Sequence, residues 1–199
     1  MEKHKVNRRS SSLLNMIMGL GLVALVASSL LGVVYSITKE PIELAKAKKL
    51  KEAIQLVSPI FNNDPAAEIY KIEIKGNDSL VCYPIRSDGK LIATAIRSYT
   101  DNGFSGRFYI MVGIDVNGSI IRTSVLEHAE TPGLGDKMEK RKSDWSDQYI
   151  DKDPEKFDLR VTKDGGDIDG ITAATISSRA FSEAVITAWD SYIKDGKHE

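Results

Sequence analysis

Residues 169–178 concentrate side chains that could bind an anion or accept a phosphoryl group. This stretch carries four hydroxyls, on Thr172, Thr175, Ser177 and Ser178. A strongly amphipathic run follows, and its period predicts a helix. The apolar positions of that helix recur at three- and four-residue steps, at Ile176, Ala180, Phe181, Ala184, Val185, Ala188, Trp189, Tyr192 and Ile193.

The hydroxyls are therefore expected at a helix N-terminus. Unpaired backbone N–H groups and the positive end of the helix dipole favour an anion there. The simpler alternative is an N-cap, because Ser and Thr commonly cap helices with no ligand involved. Gly196, with Lys194 and Lys197 beside it, predicts where the helix ends.

The stretch resembles the flavin-attachment motif of the FMN-binding domain family, Asp-x-x-Ser/Thr-Gly-Ala-Thr-x-Ser/Thr. This resemblance implies that FMN is bound covalently, as an ester between its phosphate and Thr175. One residue departs from the motif, since Ala173 stands where the family usually has Gly. If this position needs a positive φ or a close approach to phosphate, the added methyl group carries a penalty.

A second segment, residues 127–137, resembles the Glu-Thr-Pro-Gly-Leu-Gly segment of the same family. With residues 163–166 between the two motifs, their order and spacing are similar to those of the G subunits of Rnf electron-transport complexes. The resemblance runs from about Lys39 to the C-terminus and includes the hydrophobic stretch before it. Two motifs in order are a far more specific signal than either motif alone.

The resemblance implies two groups of flavin-contacting residues. Around Thr175, the phosphate would receive hydrogen bonds from hydroxyls and backbone N–H groups of Thr172, Ala174, Ile176, Ser177 and Ser178. The isoalloxazine ring would face the upstream loop, at Glu130, Thr131, Gly133 and Leu134. Backbone donors near the ring would tune the reduction potential. The alternative for this loop is a tight turn with a buried leucine.

Composition narrows the functional classes. The 199 residues carry a formal net charge of −1, and the basic residues alternate with acidic ones, so a nucleic-acid partner is not expected. Cys82 is the single cysteine and the chain has three histidines, so neither a multi-cysteine metal site nor a zinc site is expected. Redox chemistry would therefore need an organic cofactor. We expect Trp145, Trp189 and Cys82 to be packing residues, and His128 to be a hydrogen-bonded surface or core histidine rather than a proton donor.

Residues 13–37 contain no charged side chain and are long enough to cross a hydrocarbon core of about 30 Å. They predict a transmembrane helix after a short basic N-terminus, residues 1–12. A cleaved signal peptide is the alternative, although Leu25-Val26-Ala27 matches a cleavage site only weakly. Lys and Arg are about evenly distributed around the span. The orientation, with the N-terminus in the cytoplasm, therefore comes from the resemblance.

The remaining pattern predicts an α+β fold, an antiparallel sheet with flanking helices. Pro41 begins an amphipathic helix within a connecting segment, residues 38–66. Period-two alternation then predicts about five strands, separated by hairpin dipeptides such as Asp88-Gly89 and Asn117-Gly118. The expected strands are 69–74, 79–86, 90–98, 107–115 and 119–126.

Finer expectations concern burial and the later elements. Phe108, Ile110, Val112 and Ile114 should form one buried face of the sheet, with Ile121, Thr123 and Val125 paired beside it. Further along, residues 140–149 predict a short helix carrying Trp145, and residues 157–162 predict a sixth strand. A glycine-rich turn, residues 163–169, leads into the hydroxyl cluster.

These observations favour a membrane-anchored electron carrier with no substrate turnover of its own. The resemblance implies an extracytoplasmic FMN-binding domain, residues 67–199, anchored in the cell inner membrane among other subunits of the same redox complex. It also implies electrons passing from reduced ferredoxin toward NAD with export of sodium ions or protons, and attachment of FMN by a flavin transferase. The alternatives are the C subunit of a sodium-translocating NADH:quinone reductase and an anchored scaffold domain without flavin.

Overall fold

The computed structural model describes residues 12–74 and 78–195. The chain forms two compact units, Met1–Lys48 and Lys49–Glu199. The basic N-terminal residues 1–11 and the predicted helix stop at Gly196 and Lys197 lie outside the described residues.

Helix α1, Ser12–Val57, is continuous through Pro41. The expectation that Pro41 begins a separate helix is therefore wrong. Proline removes one backbone N–H, that facing the carbonyl of Ile37, while the other hydrogen bonds of the ladder can still form. The helix ends at Val57, just before Ser58 and Pro59.

The apolar part of α1 exposes its side chains along its whole length, including Leu20, Leu25 and Leu31. Within the described residues, α1 is the helix long and apolar enough to cross a membrane, with an 18-residue window of mean hydropathy 2.4. This helix fits a single-pass membrane anchor.

Five strands form one antiparallel sheet in the order in which they occur along the chain. They are β1 Tyr70–Ile74, β2 Asp78–Ser87, β3 Lys90–Thr100, β4 Phe108–Asp115 and β5 Ile120–Glu127. The β2–β3 connection has φ of 51° at Asp88 and 79° at Gly89, the positive values that a tight two-residue hairpin requires. The predicted α+β class and the strand meander are both confirmed.

Both faces of the sheet are buried. Ile110, Val112 and Ile114 on β4 pack against the second long helix, α2 Thr175–Asp195. On the opposite face, Met111 lies in a smaller core with Ala53, Ile54 and Val57 from the last turns of α1. The sheet therefore forms a middle layer, with α2 packed against one of its faces.

A bulge changes the pairing of β5. Thr123 and Val125 pair with Val112 and Ile110 as expected, but Ile114 pairs with Ile120. The register shift between Gly113 and Ile114 leaves Ile121 as the extra residue, and its side chain packs with the opposite core. The assignment of Ile121 to the face of Ile114 is therefore wrong.

Helix α2 buries most of the predicted apolar stripe, but the prediction is wrong for the first and last positions of that stripe. Ile176 is 49% exposed and Ile193 is 37% exposed. Three serines are buried instead, Ser177, Ser178 and Ser182. They are tolerated inside because their hydroxyls have hydrogen-bond partners; the Ser182 hydroxyl, for example, lies 2.8 Å from the Tyr149 hydroxyl.

The segment between the sheet and α2 is less regular than expected. The helix predicted over residues 140–149 is reduced to a 3₁₀ helix, Trp145–Tyr149, and a second 3₁₀ helix covers Gly135–Met138. Residues 157–162 do not form the predicted sixth strand. Leu159 and Val161 are buried in alternation, but the backbone makes only an isolated bridge between Val161 and Ile168. Alternation alone does not supply a neighbouring strand.

Gly113 on β4 packs closely against Val57 of α1, and we expect Gly113→Ala to destabilise the fold. A Cβ at this position would lie 1.8 Å from the Val57 carbonyl oxygen. The resulting overpacking should lower the free energy of unfolding by about 1–3 kcal/mol. Urea unfolding of the detergent-solubilised chain, followed by circular dichroism, measures this change. Gly170→Ala is the control, because a Cβ there meets no atom within 4 Å. Equal stability of the two variants would contradict the packing.

Candidate functional site

The turn before α2 requires a left-handed residue. The Ala174 N–H donates to the Ile171 carbonyl at 3.0 Å, and the two residues between them form the turn. Ala173 has a φ of 62°, a conformation that costs an alanine roughly 1–2 kcal/mol and a glycine almost nothing. The position where the motif usually has glycine is thus one of positive φ, and α2 begins two residues later at Thr175.

Ser178 closes this turn from inside the helix. Its hydroxyl donates to the Ala174 carbonyl at 2.9 Å and accepts the Ile171 N–H at 2.9 Å. The side chain is fully buried. Ser178 therefore fixes the chain that enters α2, and its predicted contact with phosphate does not agree with this geometry.

Thr175 is half-buried, and its hydroxyl faces a lysine. The Nζ of Lys163 donates to the Thr175 Oγ1 at 3.0 Å. Lys163 belongs to a 3₁₀ helix, Thr162–Asp164, and was not among the site residues expected from sequence. Its contact with Thr175 crosses 12 positions in the chain, and only its place in the glycine-rich segment between the two motifs pointed toward it.

The same 3₁₀ helix is joined to α2 by an ion pair. Asp164 receives hydrogen bonds from Nε and Nη2 of Arg179, both at 2.7 Å. These hydrogen bonds lower the pKa of Asp164 below its usual value. Because Arg179 lies one helical turn beyond Thr175, the Lys163 turn runs alongside the first turns of α2.

A buried hydrogen bond joins the two sequence motifs. Ser177 donates to Glu130 Oε2 at 2.6 Å, and the Ser105 N–H donates to Glu130 Oε1 at 3.1 Å. Glu130 is only 5% exposed. A Cβ on Gly135 would lie 2.5 Å from Glu130 Oε2 and 2.7 Å from Ser177 Oγ. Gly135, the last residue of the Glu-Thr-Pro-Gly-Leu-Gly segment but not one of the expected site residues, therefore lets the loop and the helix meet.

Ser177 is consequently not available to a phosphate group. It is 2% exposed, and its proton is donated to Glu130. Thr172 and Ile176, in contrast, are exposed on either side of Thr175. The expected cluster of four hydroxyls thus divides into an outer pair, Thr172 and Thr175, and an inner pair that holds the protein together.

The tip of the upstream loop is open to solvent. The Leu134 N–H donates to the Thr131 carbonyl at 3.1 Å, which closes a turn around Pro132 and Gly133. Gly133 has a φ of 78°, and a Cβ there would meet no atom within 4 Å. Leu134 is 39% exposed, so the alternative of a tight turn with a buried leucine is wrong. The loop presents an apolar side chain and a glycine backbone to a ligand.

His128 holds the base of this loop. Its Nδ1 accepts the Glu130 N–H at 3.1 Å, which leaves Nε2 to donate to Glu139 Oε1 at 2.7 Å. Burial raises the pKa of Glu139, but hydrogen bonds from Arg141 and His128 outweigh it, and the net pKa is lowered. His128 is thus a hydrogen-bonded structural residue, as expected.

Trp145 and Gln148 hold the beginning of residues 169–178, the stretch that resembles the flavin-attachment motif. The Asp169 carbonyl accepts the Trp145 Nε1–H at 2.5 Å, and the Asp169 N–H donates to Gln148 Oε1 at 2.8 Å. Trp145 also packs edge-on against Phe181 of α2, with ring centroids 5.2 Å apart. Trp145 therefore does more than pack, since it holds the backbone that leads to Ala173.

The start of α2 carries donors that could hold an anion. Lys163 donates to the accessible Thr175 hydroxyl at 3.0 Å, and the first N–H groups of α2 have no intrahelical acceptor. This donor set suits a phosphate ester. The upstream loop around Gly133 and Leu134, called here the glycine loop, is joined to the same helix by the hydrogen bond between Glu130 and Ser177. It could face the flat part of a ligand.

Known proteins resemble this chain over most of its length. The FMN-binding domain family matches residues 103–190, a range that contains both motifs. Several curated relatives are named as G subunits of ion-translocating oxidoreductase complexes. The protein of Shewanella oneidensis is 35% identical over 83% of this chain and 82% of its own length. The Erwinia tasmaniensis protein is 36% identical over 83% of both chains, and the Yersinia pestis protein is 36% identical over 85% of both.

At this level of identity, over most of both chains, the likeness extends well beyond the two motifs. The chain belongs to the family of G subunits of ion-translocating oxidoreductase complexes.

Proposed function

We propose that this chain is the membrane-anchored flavoprotein subunit of an ion-translocating oxidoreductase, and that it carries electrons through FMN esterified to Thr175. The single observation that carries this proposal is the position of Thr175. Thr175 is the first residue of α2, and its accessible hydroxyl lies 3.0 Å from the Nζ of Lys163. The family match and the names of the relatives support the same function.

The residues fit a phosphate ester, but the donor set differs from the sequence-based expectation: Ala174, Ser177 and Ser178 drop out, and Lys163 is added. Of the two backbone donors expected, the Ala174 N–H is already bonded to Ile171. The Ile176 N–H belongs to the first turn of α2, where no intrahelical acceptor exists. Thr172 is exposed and can donate its hydroxyl, so Thr172, Ile176 and Lys163 form the proposed set of phosphate donors.

The ring of the flavin would lie toward residues 131–134. Gly133 leaves its side of the turn free, and Leu134 offers a partly exposed apolar contact. Bound FMN would supply the electron-carrying chemistry, whereas the protein positions it and sets the polarity around it. Thr131 is half-buried beside this surface, and Glu130 acts through its bond to Ser177.

The membrane arrangement extends the proposal. Helix α1 would anchor the chain in the cell inner membrane by a single pass, with residues 1–12 in the cytoplasm and the FMN-binding domain, residues 67–199, outside it. Its partners would be the other membrane subunits of the complex and, during maturation, a flavin transferase that takes FMN from FAD with a divalent metal. Transfer from reduced ferredoxin toward NAD rests on the resemblance and stays a prediction.

Two observations favour this proposal over its alternatives. The relatives named as G subunits match over 82–85% of their length, which supports this subunit type over the C subunit of a quinone reductase. The alternative of a flavin-free scaffold was supported only by Ala173, which departs from the motif. Because Ala173 adopts the positive φ itself, the turn that presents Thr175 is retained despite the methyl group.

The covalent bond is tested by peptide mass spectrometry on protein matured with its own flavin transferase. A peptide containing Thr175 should carry the mass of one FMN minus water. Thr175→Ala should lose the modification and keep its fold, because the hydrogen bond that it removes is exposed. Thr175→Ser should retain some flavin, and Thr172→Ala should weaken attachment without removing the acceptor. Modification of Thr172 or Ser177, or of no peptide, would refute the assignment.

The strained turn gives a second prediction. Ala173→Gly should raise the free energy of unfolding by about 0.5–1 kcal/mol, because relief of the positive φ exceeds the extra entropy of a glycine in the unfolded chain. Denaturant unfolding of the flavin-free protein measures this change. Ala129→Gly is the matched control, since Ala129 is also exposed but has no positive φ, and it should lower stability slightly. Loss of stability in both variants would argue against strain at Ala173.

Membrane topology is tested by protease access. In intact spheroplasts, protease added outside should digest the FMN-binding domain, because α1 is retained as an anchor and the domain lies across the membrane. A protein confined to the cytoplasm serves as the control for membrane integrity. Protection of the domain, or a mature N-terminus near Ser28, would contradict this arrangement.

A further inference from the structure

We propose that Lys163 is a positioning residue for flavin attachment, holding the phosphate group at Thr175 both while the ester forms and afterwards. This inference rests on the proposed function and adds a residue outside both attachment motifs. Its observation is the hydrogen bond from Lys163 Nζ to Thr175 Oγ1 at 3.0 Å. Within the part of the chain that the structure describes, no other side chain forms a hydrogen bond to this hydroxyl.

The contact is placed where a phosphate would form. In an ester, Oγ1 is bonded to phosphorus, and the two non-bridging oxygens lie one bond beyond it. An ammonium group within hydrogen-bonding distance of Oγ1 can therefore reach a non-bridging oxygen by a small side-chain rotation. The unpaired N–H groups in the first turn of α2 would donate to the same phosphate group, so the lysine and the helix dipole would act on one negative charge.

The backbone that carries Lys163 is fixed rather than free. Gly165 ends the 3₁₀ helix with a φ of 85°, and its N–H donates to the Thr162 carbonyl at 3.1 Å. Next to it, Gly166 packs so closely on Arg160 that a Cβ would lie 2.1 Å from the Arg160 carbonyl oxygen. The bridge between Val161 and Ile168 closes the base of this turn.

A second contact aligns the lysine with the acceptor. Asp164, the neighbour of Lys163, pairs with Arg179 on α2, one turn beyond Thr175. Two adjacent residues of the 3₁₀ helix thus bind two residues of α2 that share one face. The ion pair also neutralises Arg179. Within the described residues, Lys163 has no carboxylate within 4.0 Å, so its charge remains available at Thr175.

This arrangement has a defined role in the transfer of FMN. The Thr175 Oγ1–P bond forms as the bond between the two phosphates of FAD breaks. AMP leaves with the electron pair of that bond, and the hydroxyl proton passes to a base of the transferase. Lys163 lies beside the oxygen and phosphoryl group where negative charge accumulates, and it orders the hydroxyl for attack. It forms no covalent bond itself.

The test compares four full-length proteins purified without flavin in detergent: wild type, Lys163→Met, Lys163→Arg and Lys90→Met. Each is incubated with transferase, FAD and Mg²⁺, and the initial rate of covalent flavin fluorescence is measured. Lys163→Met should reduce the rate about tenfold, the effect expected of a charge-assisted hydrogen bond at an exposed site. Lys163→Arg should restore most of it. Lys90→Met removes the same charge in the β2–β3 hairpin and should react as wild type.

Two further measurements separate positioning from a structural role. The melting temperatures of the flavin-free variants should be equal, since the Lys163 contact is exposed. After complete loading, the ³¹P resonance of the ester should shift in Lys163→Met but not in Lys90→Met. An unchanged rate and ³¹P resonance in Lys163→Met, with wild type loaded normally, would overturn this inference alone. Absence of covalent flavin from wild type would overturn the proposed function as well.

Discussion

The buried hydrogen bond between Ser177 and Glu130 is the contact on which the candidate site depends. It joins the first turn of α2 to the glycine loop across 47 positions of the chain. In the low dielectric of the interior, loss of either partner would leave the other polar group unsatisfied, at a cost of about 1–3 kcal/mol. This hydrogen bond therefore connects the phosphate end of the proposed flavin site, on α2, to its ring end, on the loop that contains Glu130.

Much of the fold could be predicted because its signals are local. Alternating side chains and hairpin dipeptides mark the five strands, and the 3.6-residue period marks α2. The errors arise where the outcome depends on a distant partner. Residues 157–162 alternate correctly but have no strand to pair with. Ile121 alternates correctly too, but a bulge in its pairing with β4 moves it to the opposite face.

The candidate site follows the same division. That Thr175 begins α2 could be predicted from the residues around it, and so could the need for positive φ at residue 173 if glycine is usual there. Lys163 and Gly135 could not, because their roles arise from contacts between separate segments. Nor does residue type reveal which hydroxyls face inward. Thr175 and Ser177 are two positions apart, yet one is accessible and the other is bonded to a buried carboxylate.

Because the sheet is packed on both faces, a soluble fragment of this protein must begin early enough to include the residues that cover each face. The compact unit starts at Lys49, and Ala53, Ile54 and Val57 cover one face of β2, β3 and β4. A fragment cut at residue 67, where the strand pattern starts, would expose Met111 and Ala95 to water. Such a fragment would offer a contiguous apolar surface for self-association. The last turns of the anchor helix thus also cover the hydrophobic core. A water-soluble form of the domain must therefore include them.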